Sequence, residues 1–100
     1  MLILAKKLWS VFTDDMDHCY LCGSNVVHRH HIFGASNRKR SEKYGFIVPL
    51  HPRWHNTSND GIHNGNRELD LKFKRMAQGY YESHYGTRAD FILEFGKSYL

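Results

Sequence analysis

Six of the eight histidines in this 100-residue chain lie within residues 28–63. Neutral imidazole is the commonest metal ligand, and its proton equilibrium lies close to physiological pH. Histidines crowded into one short polar segment therefore indicate metal and proton chemistry. A chain of this length forms one domain with a modest core, so a bound metal would also add stability. The six are His28, His30, His31, His51, His55 and His63.

Positive charge is concentrated on the same part of the chain. Residues 28–75 contain ten lysines and arginines and four acidic residues, a net charge of +6 against +4 for the whole chain. Such a segment suits a polyanion partner, although a solvated surface would give the same count. The apolar start at residues 2–5 is too short to span a membrane, and its lysines follow it, so we expect a cytoplasmic protein with no membrane partner.

The residue pattern predicts an α+β fold in the order helix, strand, strand, long loop, helix, helix. Residues 3–12 carry apolar side chains at helical spacing and predict a short N-terminal helix. Residues 26–33 and 45–50 predict two strands, and Pro49 limits the second to a sheet edge or to its last residues. Residues 38–43 predict a polar, basic loop between the strands.

The second half of the chain predicts a loop and two helices. Residues 51–66 are rich in Asn, Gly and Ser and predict a loop. From about Arg67 the spacing predicts a helix. Its apolar side consists of Leu69, Phe73, Met76, Ala77 and Tyr80, with Asp70, Lys74 and Gln78 on other faces.

The last predicted helix has clear boundary signals. Thr87 and Asp90 form a capping-box pattern at its start, and Gly96 ends it. Phe91, Ile92 and Phe95 are expected to form its buried side.

Three short motifs lie where the predicted strands and helices meet. Residues 29–34 read Arg-His-His-Ile-Phe-Gly at the end of the first strand. Residues 48–56 read Val-Pro-Leu-His-Pro-Arg-Trp-His-Asn, and residues 60–63 read Asp-Gly-Ile-His before a helix. Over about residues 18–80 this arrangement resembles the HNH, or ββα-metal, endonucleases, in a small phage or prophage form. The resemblance implies one domain, residues 1–100, with a ββα-metal core, a short N-terminal helix and C-terminal helices, the last at about residues 87–96.

The resemblance also implies roles for four histidines. His30, His55 and His63 match metal ligands, and His31 matches the general base. One divalent ion (Mg²⁺, Mn²⁺, Ni²⁺ or Zn²⁺) would polarise a DNA phosphate while His31 takes a proton from water. Because adjacent strand residues face opposite ways, the strand should end or bulge at these two residues. A homodimer or a partner protein would be needed to cut both strands.

The chain departs from the family at the Asn that usually precedes the second strand. Residues 44–46 read Tyr-Gly-Phe there. In the family that Asn braces the loop and orients the base. Asn37 and Asn56 are the two candidates to replace it, and the sequence does not choose between them.

A second departure concerns a structural zinc that many relatives hold with two CxxC pairs. Cys19 and Cys22 form the first pair, but His51 and Trp54 stand at the second. A second zinc site would use Cys19, Cys22, His51 and one further histidine, either His18 or His28. Two reduced, partly buried thiols are the alternative.

The remaining polar residues have weaker assignments. Arg38, Lys39 and Arg40 are expected to contact DNA phosphates, because they lie between the two motif strands. His51 either serves the active site, caps a strand or stacks on Trp54. His28 is expected to be an incidental surface residue.

Two further functions fit the same residues. One is a non-catalytic, metal-stabilised DNA-binding or phage assembly module. The other is a structural zinc domain whose partner is another protein.

Overall fold

The computed structural model describes residues 7–100. Its strands β1 (His28–His31) and β2 (Ile47–Leu50) form an antiparallel pair, with His28 opposite Leu50 and His31 opposite Ile47. This part of the chain is a small α+β domain in which none of the helices is both long and apolar enough to cross a membrane. The helices are α1 (Arg38–Tyr44), α2 (Pro52–His55), α3 (Arg67–His84) and α4 (Arg88–Phe95), with 3-10 turns at Ala35–Asn37 and Ile62–Asn64.

An aromatic core holds the sheet against α3 and α4. Phe33, Phe46, Phe73 and Phe91 are almost completely buried. The Phe33 ring lies 4.7 Å from that of Phe95, measured between ring centroids. Burial of each such side chain contributes roughly 1.5–3 kcal/mol. The core therefore fixes the end of β1, on which two of the motif histidines lie.

Residues 38–43 form most of helix α1, so the predicted loop is wrong. The helix turns Ser41 and Tyr44 inward, and the Ser41 hydroxyl donates to the Phe33 carbonyl over 2.7 Å. Gly45 ends the helix with φ of 71°, and a Cβ there would lie only 2.6 Å from the Trp9 ring. The buried side of α1 thus consists of a serine and a tyrosine, so the segment lacks the run of apolar residues at helical spacing that predicts a helix.

The two strands are each shorter than predicted. Pro49 lies in β2 opposite Arg29, which a two-stranded sheet allows because each strand has an outer edge. Residues 51–66 are largely irregular, as predicted, but they include α2 and the turn at Ile62–Asn64.

The predicted N-terminal helix is wrong for residues 7–12, which form no helix, and residues 3–6 lie outside the described residues. The backbone N–H of Val11 donates to the carbonyl of Gly45 over 2.8 Å. Phe12 stacks on Phe46 with the ring centroids 6.0 Å apart. Through Val11 this segment therefore hydrogen-bonds to the junction between α1 and β2, and its apolar residues still pack against the core.

The predicted C-terminal helices are confirmed, with two errors in their faces. The capping box is present, since Thr87 Oγ1 accepts from the Asp90 N–H over 3.1 Å and Asp90 Oδ2 accepts from the Thr87 N–H over 2.8 Å. Gln78, predicted to lie outside the apolar side, is fully buried, and its side chain accepts from the Tyr99 N–H over 2.7 Å. Ile92 was expected to be buried but is 40% exposed.

Candidate metal centre

Three histidines from three separate elements converge on one point. His30 lies on β1, His55 is the last residue of α2, and His63 lies in the turn Ile62–Asn64. One ring nitrogen of each lies within 4.8 Å of the other two. The predicted ligand set therefore lies close enough to hold one metal ion.

The chemistry of these nitrogens fits a metal ion. His30 Nε2 is buried and has no hydrogen-bond partner in the described part of the chain. A buried polar atom left in this state costs roughly 1–3 kcal/mol. His55 Nε2 and His63 Nε2 are 3.1 Å apart. Nitrogens bound tetrahedrally to zinc at 2.0–2.1 Å would be about 3.3 Å apart, so little movement would be needed.

Two of the three rings are held in the neutral form that a metal requires. Burial lowers the pKa of His30 to about 3, assisted by the neighbouring histidines and Lys74. Burial and the adjacent rings of His63 and His28 lower the pKa of His55 to about 4. Both side chains are therefore neutral near pH 7, and protons compete weakly for their lone pairs.

His28 is exposed, as predicted, and its ring contacts that of His55. Its Nδ1 lies 3.0 Å from Nδ1 of His55. One of these nitrogens must carry the shared hydrogen, and a His55 that donates from Nδ1 keeps its Nε2 free for a metal. This contact was not predicted from the sequence, and the role of His28 stays a prediction. The signal in the sequence was the two-residue spacing from His30, which puts both side chains on one face of β1.

His31 lies next to the three ligands but makes a different contact. Strand β1 ends at His31, as expected if the adjacent His30 and His31 are to serve one site. Both side chains are buried. His31 Nε2 lies 2.8 Å from a carboxylate oxygen of Glu42. Glu42 was not identified from the sequence, because residues 38–43 were predicted to form a loop. A predicted loop does not indicate the direction in which a side chain points.

Two clefts open beside the histidines, and both are lined by His30, His31 and His63. The first has a volume of about 350 Å³. The second has a volume of about 240 Å³. The first cleft adds Asp70 and Lys74 to its lining, and the second adds Arg29, Arg38 and His55.

The three cations predicted to contact phosphate are exposed on α1 rather than on a loop. Arg38 lines the second cleft. Arg40 instead donates to Asn37 Oδ1 over 3.2 Å. Of these three cations, Arg38 lies beside the histidines. Phosphate contact by Arg38, Lys39 and Arg40 stays a prediction.

Of the two asparagines considered as braces, Asn37 uses its side chain elsewhere, while the contact of Asn56 involves its backbone carbonyl. Asn37 Nδ2 donates to the carbonyl of Phe95 over 3.0 Å, which ties the start of α1 to the end of α4. The carbonyl of Asn56 accepts from Asn64 Nδ2 over 2.9 Å. The residue that bonds His31 is Glu42.

Among the described residues, no third candidate ligand meets the cysteine pair. Across residues 7–100, the three histidines are the only group of three or more candidate ligands that meet. Cys19 is buried, Cys22 is exposed, and both are free thiols. His51 Nδ1 accepts from the Arg53 N–H over 3.0 Å and so caps α2, while the His18 ring bonds Asp15. Within residues 7–100, Cys19, Cys22 and His51 therefore do not meet as a ligand group, and a second zinc site that also uses His18 or His28 stays a prediction.

The Cys19 thiol is nevertheless in a polar setting. Burial raises the pKa of this thiol, but the backbone N–H groups of His51, Cys22 and Leu21 outweigh that effect and lower it below its ordinary value. The Leu21 N–H lies 3.4 Å from the sulfur. The Cys19 thiol thus lies beside the backbone of His51, at the start of α2.

The segment between His55 and His63 is held by polar contacts. Asn64 Nδ2 donates to the carbonyls of Asn56 and Ser58, each over 2.9 Å. Arg53 pairs with Asp60 over 3.1 Å. A Cβ at Gly61 would lie 2.9 Å from the His55 carbonyl oxygen, so only glycine allows the loop to pass this close. These contacts bring His63 back to His55.

Comparisons of the chain with protein-family models, with curated proteins and with solved structures find no match.

Proposed function

We propose that this chain is a metal-dependent endonuclease that hydrolyses phosphodiester bonds in DNA. The observation that supports this most is the convergence of His30, His55 and His63, with a buried His30 nitrogen that has no hydrogen-bond partner among residues 7–100. A further histidine and two arginines line the adjoining cleft. A metal ligand set, a base and cations in one cleft are the components that phosphodiester hydrolysis needs.

His30, His55 and His63 would hold the divalent ion. When bound, such an ion stabilises negative charge on the phosphate and on the leaving oxygen. Three imidazoles leave coordination positions open for substrate and water.

His31 would act as the general base. Its Nδ1 takes a proton from a water molecule while the water oxygen attacks phosphorus. The bond between phosphorus and the 3′ oxygen breaks, and that oxygen takes a proton from solvent. Arg29 and Arg38 would bind charged phosphate oxygens and hold the backbone in place without reading its sequence.

The test is nicking of supercoiled plasmid with Mg²⁺, Mn²⁺, Ni²⁺ and Zn²⁺ in turn. We expect His31→Ala to lower the rate by roughly 10²- to 10⁴-fold, the usual contribution of a general base, with metal binding retained. His84→Ala removes an exposed histidine on α3 and is the matched control. A His31→Ala variant that nicks as fast as the parent would overturn the assignment.

A second candidate is a non-catalytic, metal-stabilised DNA-binding module. His31 is only 7% exposed, and one of its nitrogens is engaged by Glu42, which favours a structural role. This candidate predicts a gel shift of DNA fragments with no nicking under any metal. The plasmid experiment separates the two functions.

A further inference from the structure

The side chain of Glu42 reaches the candidate base from helix α1. Its Oε2 atom lies 2.8 Å from His31 Nε2. The His31 side chain is 5% exposed and that of Glu42 is 16% exposed, so water competes little for this contact. A charge-assisted hydrogen bond in such surroundings is short, directional and strong.

The contact determines which nitrogen of His31 carries hydrogen. A carboxylate only accepts hydrogen bonds, so Nε2 must be the donor. In a neutral ring the other nitrogen, Nδ1, then holds the lone pair. The ring is thereby fixed in the tautomer whose Nδ1 can accept a proton.

Helix α1 holds Glu42 firmly in place. The neighbouring Ser41 hydroxyl exchanges two hydrogen bonds with the backbone of Phe33, which lies two residues beyond His31. The Tyr44 hydroxyl donates to Glu94 on α4 over 2.7 Å. Helix α1, which carries Glu42, is therefore bonded both to the segment that follows His31 and to α4. Such support keeps a side chain in productive geometry.

We infer that Glu42 is a positioning residue that fixes the orientation and tautomer of His31. This inference rests on the proposed function, because the orientation of His31 matters for catalysis only if His31 is the general base. Glu42 acts through His31, and its effect is expected in the rate of the chemical step rather than in metal or DNA binding.

The test compares Glu42→Ala and Glu42→Gln with the parent. Alanine removes the acceptor. Glutamine can still accept from Nε2 through its amide oxygen, so it separates loss of orientation from loss of charge. Glu68→Gln, at an exposed position in the first turn of α3, is the control for removal of one negative charge. Circular dichroism identifies a variant that fails to fold.

The first readout is nitrogen NMR of the His31 ring, which needs no activity. We expect the parent and Glu42→Gln to show hydrogen on Nε2 and a lone pair on Nδ1. We expect Glu42→Ala to show a mixture of tautomers. An unchanged His31 spectrum in a folded Glu42→Ala variant would overturn the inference.

The second readout is plasmid nicking under saturating metal. We expect Glu42→Ala to lower kcat by roughly 10- to 100-fold, the usual cost of losing an orienting partner, with KM and metal affinity unchanged. Glu42→Gln should recover much of that loss. A nicking parent beside an equally active Glu42→Ala variant overturns the role of Glu42 alone. A parent that nicks under none of the metals overturns the endonuclease proposal and, with it, any purpose for this contact in catalysis.

Discussion

Two regions of the molecule offer metal-ligand residues, and only one assembles them. The histidine centre (His30, His55 and His63) draws its residues from β1, α2 and a 3-10 turn, and their nitrogens meet. The cysteine loop (residues 18–24) places both thiols on one segment. The fold brings no third ligand to that loop from residues 7–100. A site of three ligands thus depends on the convergence of separate elements, which the CxxC spacing does not provide.

The two regions also differ in charge. Arg29 and Arg38 line the cleft at the histidine centre. Before the cysteine loop come Asp14, Asp15 and Asp17. Asp17 pairs with Arg29 over 3.5 Å, so the acidic segment offsets part of the positive charge beside the centre.

The largest effect should come from removing one histidine of the centre. We expect His55→Ala to lower metal affinity by more than about 100-fold, the upper limit for loss of an outer partner, because a direct ligand is lost. Isothermal titration calorimetry with Zn²⁺ and Mn²⁺ measures this. Cys22→Ser should leave one bound ion per chain. Two ions in the parent, with one lost in Cys22→Ser, would contradict the distinction between the regions.

Metal addition should stabilise the fold through the same centre. At a free ion concentration of 100 times Kd, binding adds about 2.7 kcal/mol to the free energy of unfolding. For a domain of this size that raises Tm by roughly 10–20 °C. Differential scanning calorimetry should show the same rise in Cys22→Ser and only a small fraction of it in His55→Ala. A rise that depends on Cys22 would move the metal to the cysteine loop.

The contact between His28 and His55 should have a smaller effect. We expect His28→Ala to lower metal affinity by roughly 10-fold, because His55 loses the partner that fixes its ring. His84→Ala again serves as the control, with both affinities measured by calorimetry. Equal affinities in the two variants would mean that His28 does not orient His55.

The smallest effect concerns charge beside the centre. If DNA binds there, Arg38→Gln should weaken binding several-fold and reduce the slope of log K against log salt by about one. Fluorescence anisotropy over a series of salt concentrations measures the slope. Arg88→Gln, on α4, removes a cation that pairs with Glu82 and should leave the slope unchanged. Equal slopes in both variants would place the DNA elsewhere.

Much of the fold could be predicted from local signals. The apolar spacing after Arg67 and the pairing of Thr87 with Asp90 located α3 and α4. Helix α1 could not be found in this way, because its buried side is formed by Ser41 and Tyr44. The burial of Gln78 depends on the C-terminal tail, which is a contact that no window of neighbouring residues contains.

The three histidines of the candidate site could be predicted from the sequence, but the contacts that His28 and Glu42 make there could not. Histidine chemistry and the family resemblance identified the three residues that meet. The contacts of His28 with His55 and of Glu42 with His31 were not predicted, because the partners lie 27 and 11 residues apart in the sequence. Their roles depend on the pairing of elements in the fold, which the sequence pattern did not specify.

The close approach at Gly61 restricts how this protein could be altered. Its φ of −77° is open to any residue, so the restriction comes from space alone. Any larger residue at 61 would push the chain away from the His55 carbonyl and carry His63 with it. A library of variants that seeks a new metal preference should therefore keep position 61 fixed and place its diversity at outward positions of the same loop, such as Asn59.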